Sequence, residues 1–299
     1  MKRGLVVLDA TETPPAEWDR RLTAVRADLR AAGVDVGLIY GDVFSSDDIA
    51  YLTNLCIYWN EGMLAIPADG DPVVLTKLSP RVFPWMRLTS TVRDIRSGRS
   101  FGTLVHDFLA DRGPGVAGLV GADLWPAAVV DEVTASAPDW TVRPLGALVR
   151  AHRTRPSATE EALIRTAAGL IAEALARADG SIAELERRLR GVGFLDVRIT
   201  TSTAGGSTSL QVLGQYRTVW AYAARILGPA PNGGVTQERW INQADLATLG
   251  EFRPAPDRPA EGEIGAVLVE TVFPDGMLIR ADTVRIGAGG PELLSVVRA

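Results

Sequence analysis

A helical segment near the middle of the chain separates two halves with different sequence patterns. The segment starts at Arg150 and reads RAHRTRPSATEEALIRTAAGLIAEALARADG, a basic stretch followed by apolar residues at helical spacing. Ser157 or Thr159 can cap this helix, because acidic residues occupy the turn that follows. We therefore predict a domain boundary near Arg150, with one domain over residues 1–149 and a second over residues 150–299.

Helical and strand patterns alternate through the first half. Leu22, Val25 and Leu29 recur at helical spacing within residues 15–32, and the apolar run VDVGLIY follows as a buried strand. Further helices are predicted at 79–86, 101–112 and 125–135, and further strands at 64–77 (two strands around an Asp-Gly turn), 115–123 and 140–146. This alternation predicts a mixed sheet with helices on its faces.

The second half is dominated by strand patterns after one more helix, SIAELERRLRGVG, in which Ser181 and Glu184 can form a capping box. The clearest strand patterns are FLDVRITTS and residues 210–227, 265–273 and 276–287. Residues 228–262 hold many prolines and glycines, so we expect at most one short helix there, near 237–249. The fold class predicted for the chain is α/β, of the α+β kind.

Charge and hydropathy argue against two classes of partner. The net charge is −5 with a pI near 5.2, and because the basic residues are not clustered, nucleic acid is not an expected partner. No apolar run is long enough for a transmembrane helix, so we expect no membrane association. The apolar run over residues 5–8 is too short for a signal-peptide core, and the single Cys56 excludes an internal disulfide. These features predict a cytoplasmic protein.

Only two histidines occur in the sequence, His106 and His152. His106 lies in the helical pattern FGTLVHDFLADR, and His152 lies in the basic stretch RAHRTR. We interpret both as structural or solvated residues rather than as catalytic ones. Chemistry in this protein would therefore depend on other groups.

Several motifs occur in a fixed order along the chain. They are RLTAVRADLRAAGVDVGLIYG, IAYLTNL, LAIPADGDPVVL, EEALIRTAA and LVETVFPDGMLIRADTVRIGAGGPELLS. Together they resemble the motifs of the creatinase/aminopeptidase P group of the pita-bread superfamily. The resemblance implies a creatinase-like mixed-sheet domain over 1–149 and a shortened pita-bread domain over 150–299. It also implies a homodimer, in which Tyr58, Trp59 and Glu61 either reach a neighbour's site or belong to the core.

The resemblance also locates the five residues that bind two metal ions in this group: two aspartates, one histidine and two glutamates. Aligning Arg225 with the arginine that follows the second aspartate puts Gln211 and Tyr222 at the aspartate positions. Glu270 matches the first glutamate, Ala281 stands at the second, and the histidine-bearing segments have no counterpart. Because a two-metal site needs several anionic oxygen donors, we expect neither a metal nor any other cofactor.

The leading functional hypothesis is a metal-independent enzyme acting on a small polar or amino-acid-like molecule, by C–N bond hydrolysis or lyase-type chemistry. Glu270 would serve as the general base and Tyr222 as the acid or oxyanion donor. The resemblance gathers further substrate-binding candidates on the same surface: Gln211, Tyr216, Trp220, Arg225 and Asp282. Arg225 could instead pair with Glu270 or Asp282, and the aromatic side chains could simply pack within the sheet.

Two other functions are compatible with the sequence. The first is a non-catalytic pseudo-peptidase that serves as an interaction or regulatory partner. The resemblance implies this alternative, because the same fold is an interaction module in a histone-chaperone relative that also lacks the metal ligands, and the short segment 228–262 could expose a docking surface. The second is residual metal-dependent Xaa-Pro aminopeptidase activity, which requires a stoichiometric metal ion.

Overall fold

The computed structural model describes residues 7–59, 61–229, 232–250 and 259–295. The chain divides between His152 and Arg153 into two compact units, which we call the N-terminal unit and the C-terminal unit. Within the described ranges, no helix is both long and apolar enough to cross a membrane.

The N-terminal unit is built on a six-stranded sheet. Its strands are β1 (Val36–Asp42), β2 (Glu61–Pro67), β3 (Val73–Thr76), β4 (Asp94–Ser97), β5 (Val116–Val120) and β6 (Thr141–Leu145). The helices up to the boundary are α1 (Pro15–Ala31), α2 (Asp47–Thr53), α3 (Phe83–Thr89), α4 (Phe101–Ala110), α5 (Ala127–Ala135) and α6 (Leu148–Arg153).

The sheet of the N-terminal unit is mixed. Its strand order is β4-β3-β2-β1-β5-β6, in which β2 runs antiparallel to both of its neighbours and every other pair is parallel. One hydrophobic cluster includes Val25 and Leu29 of α1, and another includes Phe101 and Phe108 of α4 and Val133 of α5. The expected mixed sheet with helices on its faces is confirmed.

The C-terminal unit combines two helices with a seven-stranded antiparallel sheet. The helices are α7 (Ala158–Ala176) and α8 (Ile182–Gly191). The strands are β7 (Phe194–Ala204), β8 (Ser207–Tyr216), β9 (Val219–Leu227), β10 (Val235–Asn242), β11 (Ile264–Phe273), β12 (Gly276–Gly287) and β13 (Gly290–Leu293). Their order is β10-β11-β12-β9-β8-β7, with β13 paired to β12.

The capping residues at the start of both helices act as the sequence indicated. Ser157 accepts a hydrogen bond from the backbone N–H of Glu160, and the Glu160 carboxylate accepts one from the backbone N–H of Ser157, so α7 begins with a capping box. At α8, Ser181 accepts from the backbone N–H of Glu184. Each cap satisfies a backbone donor that has no partner within the helix.

The short helix expected near 237–249 is present, but a strand that the sequence did not indicate precedes it. Residues Val235–Asn242 form the edge strand β10, which pairs along its whole length with β11, and a 3₁₀ helix over Gln243–Thr248 follows it. The first five residues of β10 are exposed on both faces. The strand therefore lacks the alternation of apolar and polar residues by which half-buried strands are recognised.

Candidate functional site

The hairpin of β8 and β9 divides its side chains between two faces of the C-terminal sheet, because successive residues of a strand point to opposite sides. One face packs against α7 and α8 and includes Leu210, Val212 and Ala221; we call it the helical face. The opposite face includes Trp220 and Tyr222; we call it the Tyr222 face. The residues proposed from the sequence are split between these faces.

Gln211 and Tyr222, to which the resemblance assigns the two aspartate positions, bind each other on the Tyr222 face. The Tyr222 hydroxyl donates a hydrogen bond of 2.8 Å to Gln211 Oε1. Gln211 Nε2 donates to the hydroxyl of Ser202 at 3.3 Å. Tyr222 is only 3% exposed and Gln211 only 7%. The phenol and the amide therefore satisfy each other inside the protein, and neither needs a ligand to offset its burial.

The Tyr222 phenol is held in its neutral form. Burial raises the pKa of Tyr222 to about 12; the Glu270 carboxylate acts in the same direction, and the positive charge of Arg239 opposes both. The backbone of Tyr222 is fixed as well, since its N–H donates to Thr283 Oγ1 and its carbonyl accepts from the same hydroxyl, each at 2.9 Å. Tyr222 is thus a rigid donor already committed to Gln211.

Apolar side chains fill the surroundings of this pair. The cluster on the Tyr222 face contains Leu213, Trp220, Tyr222, Ile241, Leu246, Leu268, Ile279 and Ala281 together with smaller neighbours. Trp220 is fully buried, and the Arg198 guanidinium lies 5.1 Å from its ring centroid. Arg198 is held in place by a 2.6 Å hydrogen bond to the carbonyl of Ala247, which follows β10. This face is therefore packed as a hydrophobic core.

Glu270 and Ala281 occupy the two positions that the resemblance assigns to glutamates. Glu270 lies on the Tyr222 face, with 23% of its side chain exposed and its Oε1 at 3.9 Å from Arg239 Nε. Ala281 is 2% exposed and lies opposite both Leu268 and Ala224 in the sheet. The first position thus keeps a carboxylate at the margin of the face, and the second contributes only a methyl group to its core.

Three other proposed site residues lie on the helical face, so the expectation of one shared surface is wrong for them. Arg225 Nη1 donates to the carbonyls of Leu175 and Ala176 at 3.3 and 3.2 Å, at the end of α7, and pairs with neither Glu270 nor Asp282. Asp282 accepts a 3.0 Å hydrogen bond from the hydroxyl of Ser295. Burial raises the pKa of Asp282, although this hydrogen bond lowers it.

Tyr216 is the third residue on the helical face, where its ring packs against Phe194 with centroids 5.5 Å apart. The separation along the strand explains all three cases. Tyr216 lies five residues after Gln211, Arg225 lies three residues after Tyr222, and Asp282 lies one residue after Ala281. An odd separation along a strand places a side chain on the opposite face.

The donor set on the Tyr222 face does not fit a two-metal centre. Gln211 and Tyr222 are neutral and bonded to each other, Ala281 has no donor atom, and Glu270 contributes the one carboxylate among the four assigned positions. A pair of divalent ions requires several anionic oxygen ligands. Across the part of the chain that the structure describes, no group of three or more His, Cys, Asp or Glu side chains is arranged to hold a metal ion.

The remaining sequence candidates make contacts inside the N-terminal unit. His152 Nε2 lies 2.6 Å from the Asp28 carboxylate. Trp59 donates its indole N–H to the backbone carbonyl of Glu61, and the rings of Tyr58 and Trp59 pack at a centroid distance of 5.4 Å. His106 lies in a cleft at the ends of α4 and α5. Sequence reasoning did not identify this cleft.

The fold is similar to that of several solved peptidase structures. The prolidase from Pyrococcus horikoshii OT3 matches with 12% sequence identity over 93% of this chain and 99% of that chain, at a TM-score of 0.67. The Xaa-Pro dipeptidase from Bacillus anthracis matches with 15% identity over 93% and 97% of the two chains (TM-score 0.66). The X-Pro aminopeptidase from Thermotoga maritima MSB8 matches with 14% identity over 91% and 98% (TM-score 0.66).

By sequence, no protein-family profile and no curated protein matches the chain. The structural likeness covers both halves, so the expected two-domain pita-bread fold of prolidases and aminopeptidase P is confirmed. At 12 to 15% identity this likeness concerns the fold alone.

Proposed function

We propose that this protein is a non-catalytic pseudo-peptidase, which uses the prolidase-like fold as an interaction or regulatory partner. The observation that carries the proposal is the hydrogen bond from Tyr222 to Gln211 within the hydrophobic cluster of the Tyr222 face. These two residues stand where the resemblance implies metal-binding aspartates. A site for metal-dependent hydrolysis needs anionic ligands and room for water, whereas this face offers a neutral, internally satisfied pair and close apolar packing.

The energetics support a structural role for the pair. Both side chains are buried, and a buried polar group without a partner costs about 1–3 kcal/mol. Because the phenol and the amide satisfy each other, the polar atoms can remain in the core at little cost. Their hydrogen bond ties β8 to β9 within the hydrophobic cluster of the Tyr222 face.

A metal-independent enzyme is the second candidate, and the partial exposure of Glu270 beside Arg239 favours it. In that mechanism Glu270 would accept a proton from a small polar substrate, and Tyr222 would donate a hydrogen bond to the developing negative charge. The Tyr222 hydroxyl already donates to Gln211, so it would have to exchange this partner during each turnover. For this reason we place the non-catalytic function first.

Activity assays separate these candidates. The purified chain is incubated with Ala-Pro and with small amino acids and guanidines, in one series with 1 mM Mn²⁺ and in another with chelator. The proposal predicts no release of product above a buffer control in either series. Turnover that persists with chelator and disappears in Glu270→Gln would establish the metal-independent enzyme instead. Turnover that requires Mn²⁺ would establish a peptidase.

Native purification tests the interaction itself. The chain is isolated from its own host at its native level, and its assembly is measured by size-exclusion chromatography with light scattering and by mass spectrometry. A second protein that is present in a fixed stoichiometric ratio and remains through two further columns is the expected result. Recovery of the chain without any other protein, including after cross-linking in intact cells, would contradict an interaction function.

A further inference from the structure

A cleft of about 410 Å³ lies in the N-terminal unit, where the ends of α4 and α5 meet. Its walls include His106 and Leu109 of α4 and Ser136, which caps α5. The loop residues Asp139 and Trp140 complete the side nearest to β6. We call this the helix-end cleft. Its volume falls within the range of about 300–1,000 Å³ typical of small-molecule sites.

His106 is an exposed residue that lines the helix-end cleft and has one ring nitrogen available as a hydrogen-bond acceptor. Its Nδ1 lies 3.0 Å from the backbone carbonyl of Ser136, and since a carbonyl can only accept, Nδ1 carries the proton of the neutral ring. The other nitrogen, Nε2, is then an acceptor. No hydrogen bond to Nε2 comes from the described residues. A ligand with N–H donors can therefore bind to His106.

The electrostatics of the cleft favour a positive charge. The last turn of α4 and the first residues after α5 line it, and the C-terminal end of a helix carries a partial negative charge. At α4 this charge is partly offset by Arg112, whose guanidinium donates to the carbonyl of Phe108 at 2.6 Å, whereas at α5 the charge adds to that of Asp139. Asp139 adds a carboxylate, and among the described lining residues there is no arginine or lysine. An anionic ligand would meet this negative field, whereas a cation would be stabilised by it.

The floor of the cleft supplies an aromatic and apolar surface. Trp140 lines it together with Leu109 and Ala137. Gly115 lets the Trp140 ring come close to the backbone, because a Cβ at this glycine would come within 2.9 Å of ring atom Cζ3. An indole held in this way offers an apolar surface on which the body of a small ligand can pack.

From these contacts we infer that the helix-end cleft binds a small organic cation, an amidinium, guanidinium or ammonium group carried on a compact apolar body. The cationic N–H groups bind His106 Nε2 and the Asp139 carboxylate, and the apolar body stacks on Trp140. The inference concerns the N-terminal unit and does not depend on the function proposed above.

Three probes of the same shape and different charge test the inference. Benzamidine, benzamide and benzoate are titrated to 20 mM into ¹⁵N-labelled protein at pH 7.5 and 150 mM salt, and the indole N–H signal of Trp140 is followed by NMR. Benzamidine is expected to give a saturable shift with a dissociation constant at least tenfold below that of the neutral and anionic probes. Equal binding of all three probes, or no saturable shift, would overturn the inference.

Matched variants localise the binding. Asp139→Asn is expected to weaken benzamidine binding about threefold, in line with a partly exposed ion pair. Asp111→Asn is the control, because it removes the same charge from an exposed residue that also follows α4 but does not line the cleft. Equal losses in both variants would mean that binding reflects only the general negative charge of the surface, and the inference would fail.

His106→Asn tests the acceptor, since asparagine can still donate to the Ser136 carbonyl but has no counterpart of Nε2. A loss of about threefold or more is expected for benzamidine, with an unchanged melting temperature. Unchanged affinity would remove His106 from the site. The source of the cation is then distinguished by comparing the affinities of agmatine and the blocked peptide acetyl-Ala-Arg-Ala-amide. Tighter binding of agmatine would identify a free metabolite as the ligand, and tighter binding of the peptide would identify a protein side chain.

Discussion

The two faces of the C-terminal sheet are packed by the same kind of side chain, although only one of them is covered by long helices. The helical face buries Leu210 and Val212 beneath α7 and α8. The Tyr222 face buries Leu268 and Trp220 beneath the short 3₁₀ helix and the chain around it. The two faces differ in one respect. Among the described residues of the two clusters, a hydrogen-bonded pair of buried polar side chains, Gln211 and Tyr222, lies on the Tyr222 face and has no counterpart on the helical face. The Tyr222 face is thus packed as a second core of the C-terminal unit.

Truncation of one leucine on each face gives the largest expected effect. Leu268→Ala and Leu210→Ala remove equivalent side chains that are each 1% exposed. Both variants should lower the free energy of unfolding by about 3 kcal/mol, measured by urea denaturation, because each leaves a cavity in a packed core. A loss below about 1 kcal/mol for Leu268→Ala, with a full loss for Leu210→Ala, would mean that the Tyr222 face is an open cavity.

Removal of the Tyr222 hydroxyl gives the next largest effect. Tyr222→Phe should lower the free energy of unfolding by about 1–2 kcal/mol, because Gln211 Oε1 loses its donor inside the core. Combining it with Gln211→Leu should recover part of the loss, with a coupling energy of about 1 kcal/mol. Tyr58→Phe, at a residue that is 37% exposed, serves as the control and should change stability by less than about 0.5 kcal/mol.

Arg225 tests the assignment of side chains to faces. Because its guanidinium binds carbonyls at the end of α7, Arg225→Ala should cost about 0.5 kcal/mol, the usual contribution of a cation at a helix C-terminus. The loss should shrink at 1 M salt, where the charge is screened. Arg187→Ala, at an exposed ion pair with Glu184 on α8, is the comparison and should be close to neutral at both salt concentrations. If the losses in free energy of unfolding caused by Arg225→Ala and Glu270→Gln were not additive, the two side chains would interact. That result would contradict the placement of Arg225 on the helical face.

Asp282 gives the smallest effect, and it depends on pH. Burial raises the pKa of Asp282 in the folded protein, so folding favours the protonated carboxyl group. The stability that this group contributes is fully present at pH values below the pKa of the carboxyl group in the unfolded chain, which is about 3.9. It is lost as the pH rises through the higher pKa of the same group in the folded protein. Asp282→Asn should therefore gain stability relative to the wild type between pH 4 and pH 7. A constant difference across this range, in melts at half-unit steps, would show that Asp282 does not titrate differently on folding.

Much of the fold could be predicted from the sequence, because its elements obey local rules. The period of apolar residues predicted α1, and the cap at Ser157 predicted the start of α7. The edge strand β10 was missed because exposure on both sides removes the alternation that marks a strand. Its pairing depends on β11, some thirty residues further along the chain, and no local pattern encodes that contact.

The candidate site was predicted less well than the fold. The resemblance brought Gln211 and Tyr222 to the same place, but it could not indicate that they bind each other. The side-chain alternation of strands would have assigned Arg225 and Asp282 to the opposite face, and that signal was available in the sequence. His106 could not have been recognised, because the cleft beside it is formed by two helix ends that are distant in the chain.

The central claim, that Gln211 and Tyr222 have replaced a metal site with a packed core, is tested most directly by metal titration of the folded protein. The melting temperature of chelator-treated protein is measured as Mn²⁺, Co²⁺ or Zn²⁺ is raised from zero to 1 mM. A metal that binds the native state must raise the melting temperature progressively once its concentration exceeds the dissociation constant, with about 2.7 kcal/mol of stabilisation at one hundred times that constant. We predict no increase with any of the three ions up to 1 mM. An increase that grows with metal concentration and is lost in Glu270→Gln would contradict the claim.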